Sequence, residues 1–324
     1  MASPHQMSDY LFDRRKLRSK ITFWRVVAFL FLIAAAGALT WRVSGVDVAH
    51  LQPHIARISI EGLITGDRDT LKLIDDVAKS NASAVIVSIE SPGGTTSGAE
   101  RLYDHLRKLS DKKPTVAVVG GLAASGGYIA AMGTERIVAQ GNSIVGSIGV
   151  LFQYPNFSKL METVGVKVEE VKSSPLKASP NPYEQTSPEA RAALDLLVKD
   201  SFGWFKGLVS ERRKLEGKAL DQVTDGRVFT GRLALELKLI DQLGSEEDAI
   251  KWLEEEKKIA SNLPVRDWKR RKNIENLGLL GLGSALAQAA GLSDVAAWLQ
   301  KSEQIQRATV LDGLMSIWHA GGVN

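Results

Sequence analysis

Residues 113–141 read KPTVAVVGGLAASGGYIAAMGTERIVAQG. The first third is a short, nearly continuous apolar run, the pattern of a strand buried on both faces. A corner follows in which one serine, Ser125, stands between Ala123-Ala124 and Gly126-Gly127. SGGYIAAMG then enters a helix, and ERIVAQG is strand-like again. The same alternation extends outward. HIARISIEGLITG reads as a strand ending at Gly62 or Gly66, and DRDTLKLIDDVAKSN as a helix with Asp67 or Asp69 as its cap. ASAVIVSIESPGG is a second buried strand, and TTSGAERLYDHLRKLS a helix with Ser97 and Glu100 as a capping box. Further on, SPEARAALDLLVKDSFGWFKGLVSERRKL is a long helix capped by Ser187, with Pro188 at its first position. TDGRVFTG is a turn and short strand, and LGSEEDAIKWLEEEKK an amphipathic helix. Strands and helices alternating at this spacing predict βαβ units, a parallel sheet and class α/β. No repeat of solenoid period occurs.

The 324 residues allow one large domain or two modest ones, with 44% apolar and 24% charged residues, as in an ordinary globular protein. The net charge of +4 is local: residues 1–25 hold six Lys and Arg against Asp9 and Asp13, so the remainder sums to zero. The basicity belongs to an N-terminal tail and does not indicate nucleic acid. With no cysteine there is no disulfide framework, thiolate nucleophile or cysteine-held metal. The five histidines are scattered and form no metal-ligand pair, and no phosphate-binding GxxxxGK[ST] loop is present. No cofactor is expected.

Ile21–Trp41 carries Arg25 as its only charge. As a helix it spans about 30 Å at roughly 1.5 Å per residue, the thickness of a bilayer core. The basic flank predicts an N-terminus in the cytoplasm and everything after Trp41 on the other face. Ala36-Gly37-Ala38 resembles a signal-peptide cleavage site, but it lies inside the apolar run with no polar region before it. The expected organisation is a basic cytoplasmic tail over 1–20, an anchor over 21–41, a linker over 42–54, a catalytic domain over 55–260 and a helical tail over 261–324. That last segment could lie on the membrane surface, contact another subunit or dock on the protein's own active site.

Two glycine-rich corners, SPGG (91–94) and AASGG (123–127), fall where a buried strand ends and a helix begins, the edge at which open parallel sheets bind ligands. Ser125 at a helix N-terminus would have the Gly126 N–H beside it. A second donor from Gly93 or Gly94 would complete an oxyanion site for acyl transfer. The plainer reading makes Ser125 an N-cap and the glycines packing devices. GxSxG is absent, so this is no α/β-hydrolase elbow. Nor does any histidine fall in this region to take the serine's proton: His105 sits among charged helix neighbours and His319 far downstream. A lysine can serve if burial keeps it neutral. Lys177, in VKSSPLKASPNPYEQ, has small or apolar neighbours between two prolines, and reads otherwise as an exposed loop residue.

Taken together, IESPGG, AASGGYIAA, GNSIVGSIGV, PLKASPNPY and TGRLALELKLIDQLG resemble the signal peptide peptidase A family in its short form, over residues 55–255. The resemblance implies Clp/crotonase-like parallel sheets with flanking helices after a single transmembrane helix. It implies Ser125 as nucleophile, Lys177 as general base, Ser147 orienting that lysine, and Gly93, Gly94 and Gly126 at the oxyanion hole. It also implies homo-oligomers at the bacterial inner membrane, the catalytic domain outside the cytoplasm and active sites shared between subunits. Cleaved signal peptides are the implied substrates. Two positions depart from the pattern: Glu90 replaces the usual Asn before SPGG, and Lys238 replaces a Gly. The alternatives are a crotonase-like acyl-CoA enzyme, which needs no serine nucleophile, and a catalytically silent scaffold on the same fold.

Overall fold

The computed structural model describes residues 23–31, 33, 52–270 and 314–317. The chain divides into two units, Met1–Gln52 and Pro53–Asn324. In the first, residues 23–31 and 33 are helical, with Phe23, Trp24, Phe29, Leu30 and Phe31 exposed. Among the described residues no helix is long and apolar enough to cross a membrane. The anchor expected over 21–41 lies mostly outside the described residues, as does the basic tail.

The second unit is built on a ten-stranded sheet with helices on its faces. Its strands are β1 (His54–Ile64), β2 (Ala82–Thr95), β3 (Thr115–Ala124), β4 (Arg136–Ala139), β5 (Ile144–Gly146), β6 (Leu151–Phe152), β7 (Val228–Thr230), β8 (Gln242–Leu243), β9 (Val265–Trp268) and β10 (Leu314–Ile317). The helices are α1 (Arg68–Lys79), α2 (Thr96–Ser110), α3 (Gly126–Met132), α4 (Ser158–Thr163), α5 (Pro188–Arg213), α6 (Gly217–Val223), α7 (Gly231–Glu236) and α8 (Glu246–Glu255). The main path runs β6-β10-β2-β3-β4-β8, with β1 also on β2 and β5 also on β3. β1, β2, β3, β4 and β8 are parallel in register, as the alternation of strands and helices predicts. The expectation of parallel strands alone is corrected at three ladders: β10 is antiparallel to both β2 and β6, and β5 to β7.

Why the strand sequences are apolar throughout is plain from β2. Val85, Val87 and Ile89 point into the larger core with α1, α2, α3 and α5. Ala84 and Ile86 point to the other face, where Ala249 and Leu253 of α8 cover them. Successive side chains alternate faces, so a strand covered on both sides has no polar phase.

The caps follow the sequence with one shift. Asp67 caps α1 through the Thr70 N–H (2.9 Å), Ser187 caps α5 through the Ala190 N–H (3.1 Å), and Ser245 with Asp248 forms a capping box on α8. The Ser97–Glu100 box expected for α2 is not formed. β2 runs on through Pro92, Gly93 and Gly94, so the helix starts at Thr96 and Thr95 caps it through the Gly98 N–H (3.0 Å). Over 261–324, expected to be helical, the regular elements among the described residues are strands: β9 pairs parallel with β1, and β10 antiparallel with β2 and β6.

Candidate active site

The site is assembled where β2 and β3 part. Ile89 pairs with Val119, but Ser91 pairs with Ala123, leaving Gly120 and Gly121 as a bulge on β3. Glu90 closes that bulge: its Oε2 accepts the Gly121 N–H at 2.7 Å. On the bulge's other side Ser143 Oγ donates to Gly120 O (2.6 Å) and Val119 O (3.1 Å). The residue that departs from the family pattern thus holds the strand that carries Ser125, a role its position next to SPGG did not reveal.

Ser125 ends β3 and opens α3. It is 1% exposed, and its side chain makes no capping bond to the helix. Its backbone sits at φ 53°, ψ −116°, a region left-handed in φ that disfavours any residue with a Cβ. The plain N-cap reading therefore does not describe it. The strain is over-determined by the Ser125 N–H, which donates to Gly146 O (2.7 Å), and by the Ser125 carbonyl, which accepts from Tyr128 and Ile129. Because Ala124 is the register partner of Gly146, Ser125 and Ser147 leave their paired strands side by side. Ser147 too is buried with φ 51°, its N–H donating to Arg227 O at 2.8 Å.

The two glycine corners meet. A Cβ on Gly127 would lie 2.6 Å from Ser91 O, so the first turn of α3 rests on the SPGG strand. A Cβ on Gly94 would lie 1.9 Å from Ile64 O, which makes glycine obligatory there for packing alone. The Gly93 N–H donates to Ser91 Oγ (3.1 Å), whose own hydroxyl donates to Gly62 O (2.7 Å). The Gly126 N–H, at the start of α3, has no acceptor among the described residues.

α3 is short, and its position is fixed from outside. The Tyr128 hydroxyl, fully buried, donates to Leu239 O at 2.7 Å. Burial pushes this phenol well above its ordinary range, so it stays a donor. At the other end of α3, Arg212 donates to Met132 O (3.0 Å) and Thr134 O (2.9 Å), and Arg107 to Gly133 O (3.3 Å). These anchors explain why GGYIAA and LKLIDQLG belong to one motif set. Lys238, beside Leu239, has φ 60°, a conformation that favours glycine. Its carbonyl accepts from Arg213 Nε at 2.6 Å.

Lys177 is not bonded to this cluster among the described residues. It is exposed in the turn after Ser174, whose carbonyl accepts its N–H at 3.0 Å. Its side chain makes no hydrogen bond or ion pair among the described residues, and so none with Ser125 or Ser147. The loop around it is held by an ionic clasp that sequence reasoning missed. Lys172 Nζ lies 2.6 Å from Glu170 and 2.7 Å from Glu184, and Asn181 Nδ2 donates to Glu184 at 2.9 Å. Hydrogen bonding to Glu170 and then Glu184 raises the ammonium of Lys172, and the bond from Lys172 lowers the carboxyl of Glu184. Among the described residues no group of His, Asp and Glu could hold a metal ion.

These features define an α/β protein with a candidate nucleophile on a strained strand-to-helix corner. A family model, peptidase family S49, matches residues 107–260. The chain belongs to that family of serine proteases. It is 37% identical over 243 residues to "Putative protease slr0021" of Synechocystis, covering 69% of this chain and 88% of the relative. It is 32% identical over 222 residues to "Putative protease MJ0651" of Methanocaldococcus jannaschii, covering 68% and 70%. It is also 30% identical over 209 residues to "Putative signal peptide peptidase SppA" of Enterococcus faecium, covering 64% and 60%.

Proposed function

We propose that this protease is a membrane-anchored Ser–Lys endopeptidase on a Clp/crotonase-like fold that hydrolyses cleaved signal peptides outside the cytoplasm. One observation carries the reading: Ser125 is buried at a backbone conformation that costs folding energy, at the corner where two glycine-rich turns converge. Strain kept at such a place presents a side chain rather than stabilising the fold.

In the proposed reaction, neutral Lys177 Nζ accepts the proton of Ser125 Oγ as the oxygen attacks the substrate carbonyl. The negative charge that develops on the carbonyl oxygen meets the Gly126 N–H and an amide of the Gly93–Gly94 strand. The C–N bond breaks, and the leaving amine takes the proton back from the lysine ammonium. Water, deprotonated by the same lysine, then attacks the acyl carbonyl; the ester C–O bond breaks, Ser125 Oγ takes the proton back from the lysine ammonium, and the acid product leaves. Ser147 orients Nζ by a hydrogen bond.

The lysine that serves Ser125 comes, in this reading, from a neighbouring copy of the chain. Two observations support that. Lys177 is exposed and unbonded among the described residues. The segment leading to it also exposes Leu160, Val164, Val166, Val168, Val171 and Leu176, an apolar surface suited to another copy. Covering by a second copy would supply the desolvation that a base lysine needs.

Cleavage of a synthetic signal peptide by the detergent-solubilised protein tests the function, beside Ser125→Ala and Lys177→Ala and a fluorophosphonate probe. Activity in the parent, its loss in both variants and probe labelling that vanishes in Ser125→Ala are expected. Hydrolysis that survives in Lys177→Ala would remove the assigned base.

A further inference from the structure

Residues 173–187 form no helix or strand, so neither a ladder nor a helix fixes the turn that presents Lys177. Two backbone bonds shape that turn, from the Lys177 N–H to Ser174 O (3.0 Å) and from the Ser179 N–H to Leu176 O (3.3 Å). Its two ends are brought together by side chains. Lys172 lies before the turn and Glu184 after it, 12 residues apart, and Lys172 Nζ donates to Glu184 Oε1 at 2.7 Å. The same oxygen accepts from Asn181 Nδ2 (2.9 Å) and Ser179 Oγ (3.4 Å). One carboxylate therefore gathers donors from both sides of Lys177.

The two ends are not held alike. The Glu184 end is tied to the chain beyond β6 through main-chain groups: Pro182 O accepts the Phe157 N–H (2.7 Å) and Glu184 O accepts from Asn156 Nδ2 (2.9 Å). Asn181, only 8% exposed, is the hub of this end, its Oδ1 accepting the N–H groups of Tyr183 (2.9 Å) and Glu184 (3.1 Å). The Lys172 end is held by its ammonium, on Glu170 and Glu184. Val168, Glu170 and Lys172, alternate residues of one segment, line a groove with Asn181, Tyr183 and Glu184. An isolated, exposed ion pair would hold such an end weakly. Here the Lys172 side chain is 17% exposed, and the carboxylate it meets is already oriented by a buried amide. Closing a loop of this length withdraws conformational freedom from everything inside it. A lysine gains most from that, because its flexible stem fixes nothing by itself.

We propose that Glu184, Asn181 and Lys172 are positioning residues for the base: their clasp closes the loop that carries Lys177 and presets the turn from which Nζ approaches Ser125 of a neighbouring copy. The proposal rests on the peptidase reading above. The three act through Lys177 and take no proton themselves. The loop carries no part of the Ser125 corner or of the SPGG strand, so its opening falls on the chemical step and not on peptide binding. With the turn in place only about a tenth of the time, kcat and the rate of Ser125 acylation fall about tenfold while KM holds.

The test uses the full detergent-solubilised chain with Glu184→Gln, which keeps an acceptor for Asn181 but loses the charge that holds Lys172, and with Lys172→Met and Lys172→Arg. Hydrogen-exchange protection of the Lys177 and Ser179 amides reads the closure, and light scattering reads the assembly. The reaction is read as kcat and KM on a fluorogenic signal peptide and as the rate of fluorophosphonate labelling. The proposal expects Glu184→Gln and Lys172→Met to lose protection at both amides and about tenfold in kcat and labelling rate, with KM within about twofold and the parental assembly retained. It expects Lys172→Arg, which restores the cation, to recover most of both. Protection unchanged in Lys172→Met overturns the clasp as what closes the loop. Protection lost with kcat unchanged overturns the positioning. A fall in kcat that accompanies loss of the assembly overturns it too, since the clasp would then serve the contact between copies and not the base. Absence of hydrolysis and of Ser125 labelling in the parent contradicts the peptidase reading and the positioning with it, while protection still scores the closure, since it needs no turnover.

Discussion

Replacing Ser125 by glycine should stabilise the protein relative to replacing it by alanine. Both substitutions remove the hydroxyl and whatever it bonds, so their difference isolates the backbone. At φ 53°, ψ −116° Ser125 occupies the mirror image of the first central position of a type II turn, where glycine is favoured. A residue held in so sparse a region stores about 1–3 kcal/mol, which alanine keeps and glycine releases. Glycine loses roughly 0.5–1 kcal/mol of this through its greater freedom in the unfolded chain. The net expectation is that Ser125→Gly is more stable than Ser125→Ala by about 1 kcal/mol, or ~2–4 °C in Tm for a domain of this size. Urea unfolding of the two proteins, compared at equal m, measures it. At an ordinary buried position the order is reversed by a similar amount. Ser125→Gly less stable than Ser125→Ala would therefore refute the claim that the corner is strained. Both variants should be inactive.

Other expectations concern what holds the corner in place. Tyr128→Phe keeps the ring but leaves the buried Leu239 carbonyl without its donor, costing about 1–3 kcal/mol, read as a lower urea midpoint at constant m. Glu90→Ala frees the Gly121 N–H at the bulge and should lower kcat by about three- to tenfold with KM little changed, while Glu90→Gln, which retains an acceptor oxygen, recovers most of it. Asp248, at the start of α8, is held below the usual carboxylate range, first by the Ser245 N–H and then by Lys251. A depressed folded value means that its stabilisation is complete above the ordinary aspartate value of about 4 and is lost as pH falls through the lowered one. Asp248→Asn should accordingly be less stable than the parent at pH 7, with the gap closing in acid, as paired urea titrations at neutral and low pH will report.

Much of the architecture is legible locally. The runs AVIVSI and TVAVV have no polar phase because helices cover both faces of the sheet, and Asp67, Ser187 and Ser245 cap helices by bonds to residues a turn or less away. What escapes local reading depends on partners far along the chain. The path of β2 through Pro92-Gly93-Gly94 is set by the close approach of Ile64, and it moves the helix cap from Ser97 to Thr95. β9 and β10 have too little pattern of their own to be read as strands, and take that form only on the edges of β1, β2 and β6. At the site, the serine and glycines stand out because their composition is unusual. The strain at Ser125, the Glu90 bulge and the Tyr128–Leu239 bond do not, since each is a property of geometry between elements. Lys177 stands out by its small and apolar neighbours between two prolines, but its role as base is implied by resemblance alone, because the burial that would make it one is absent within a single chain.

That role is tested most directly by mixing. Ser125→Ala and Lys177→Ala, each inactive alone, are co-assembled in equal amounts and assayed on a signal peptide. If the serine of one copy is served by the lysine of its neighbour in a head-to-tail ring, about a quarter of the interfaces carry both intact groups, and about a quarter of parental activity should return. No recovery from a verified mixed assembly would contradict a dyad shared between copies.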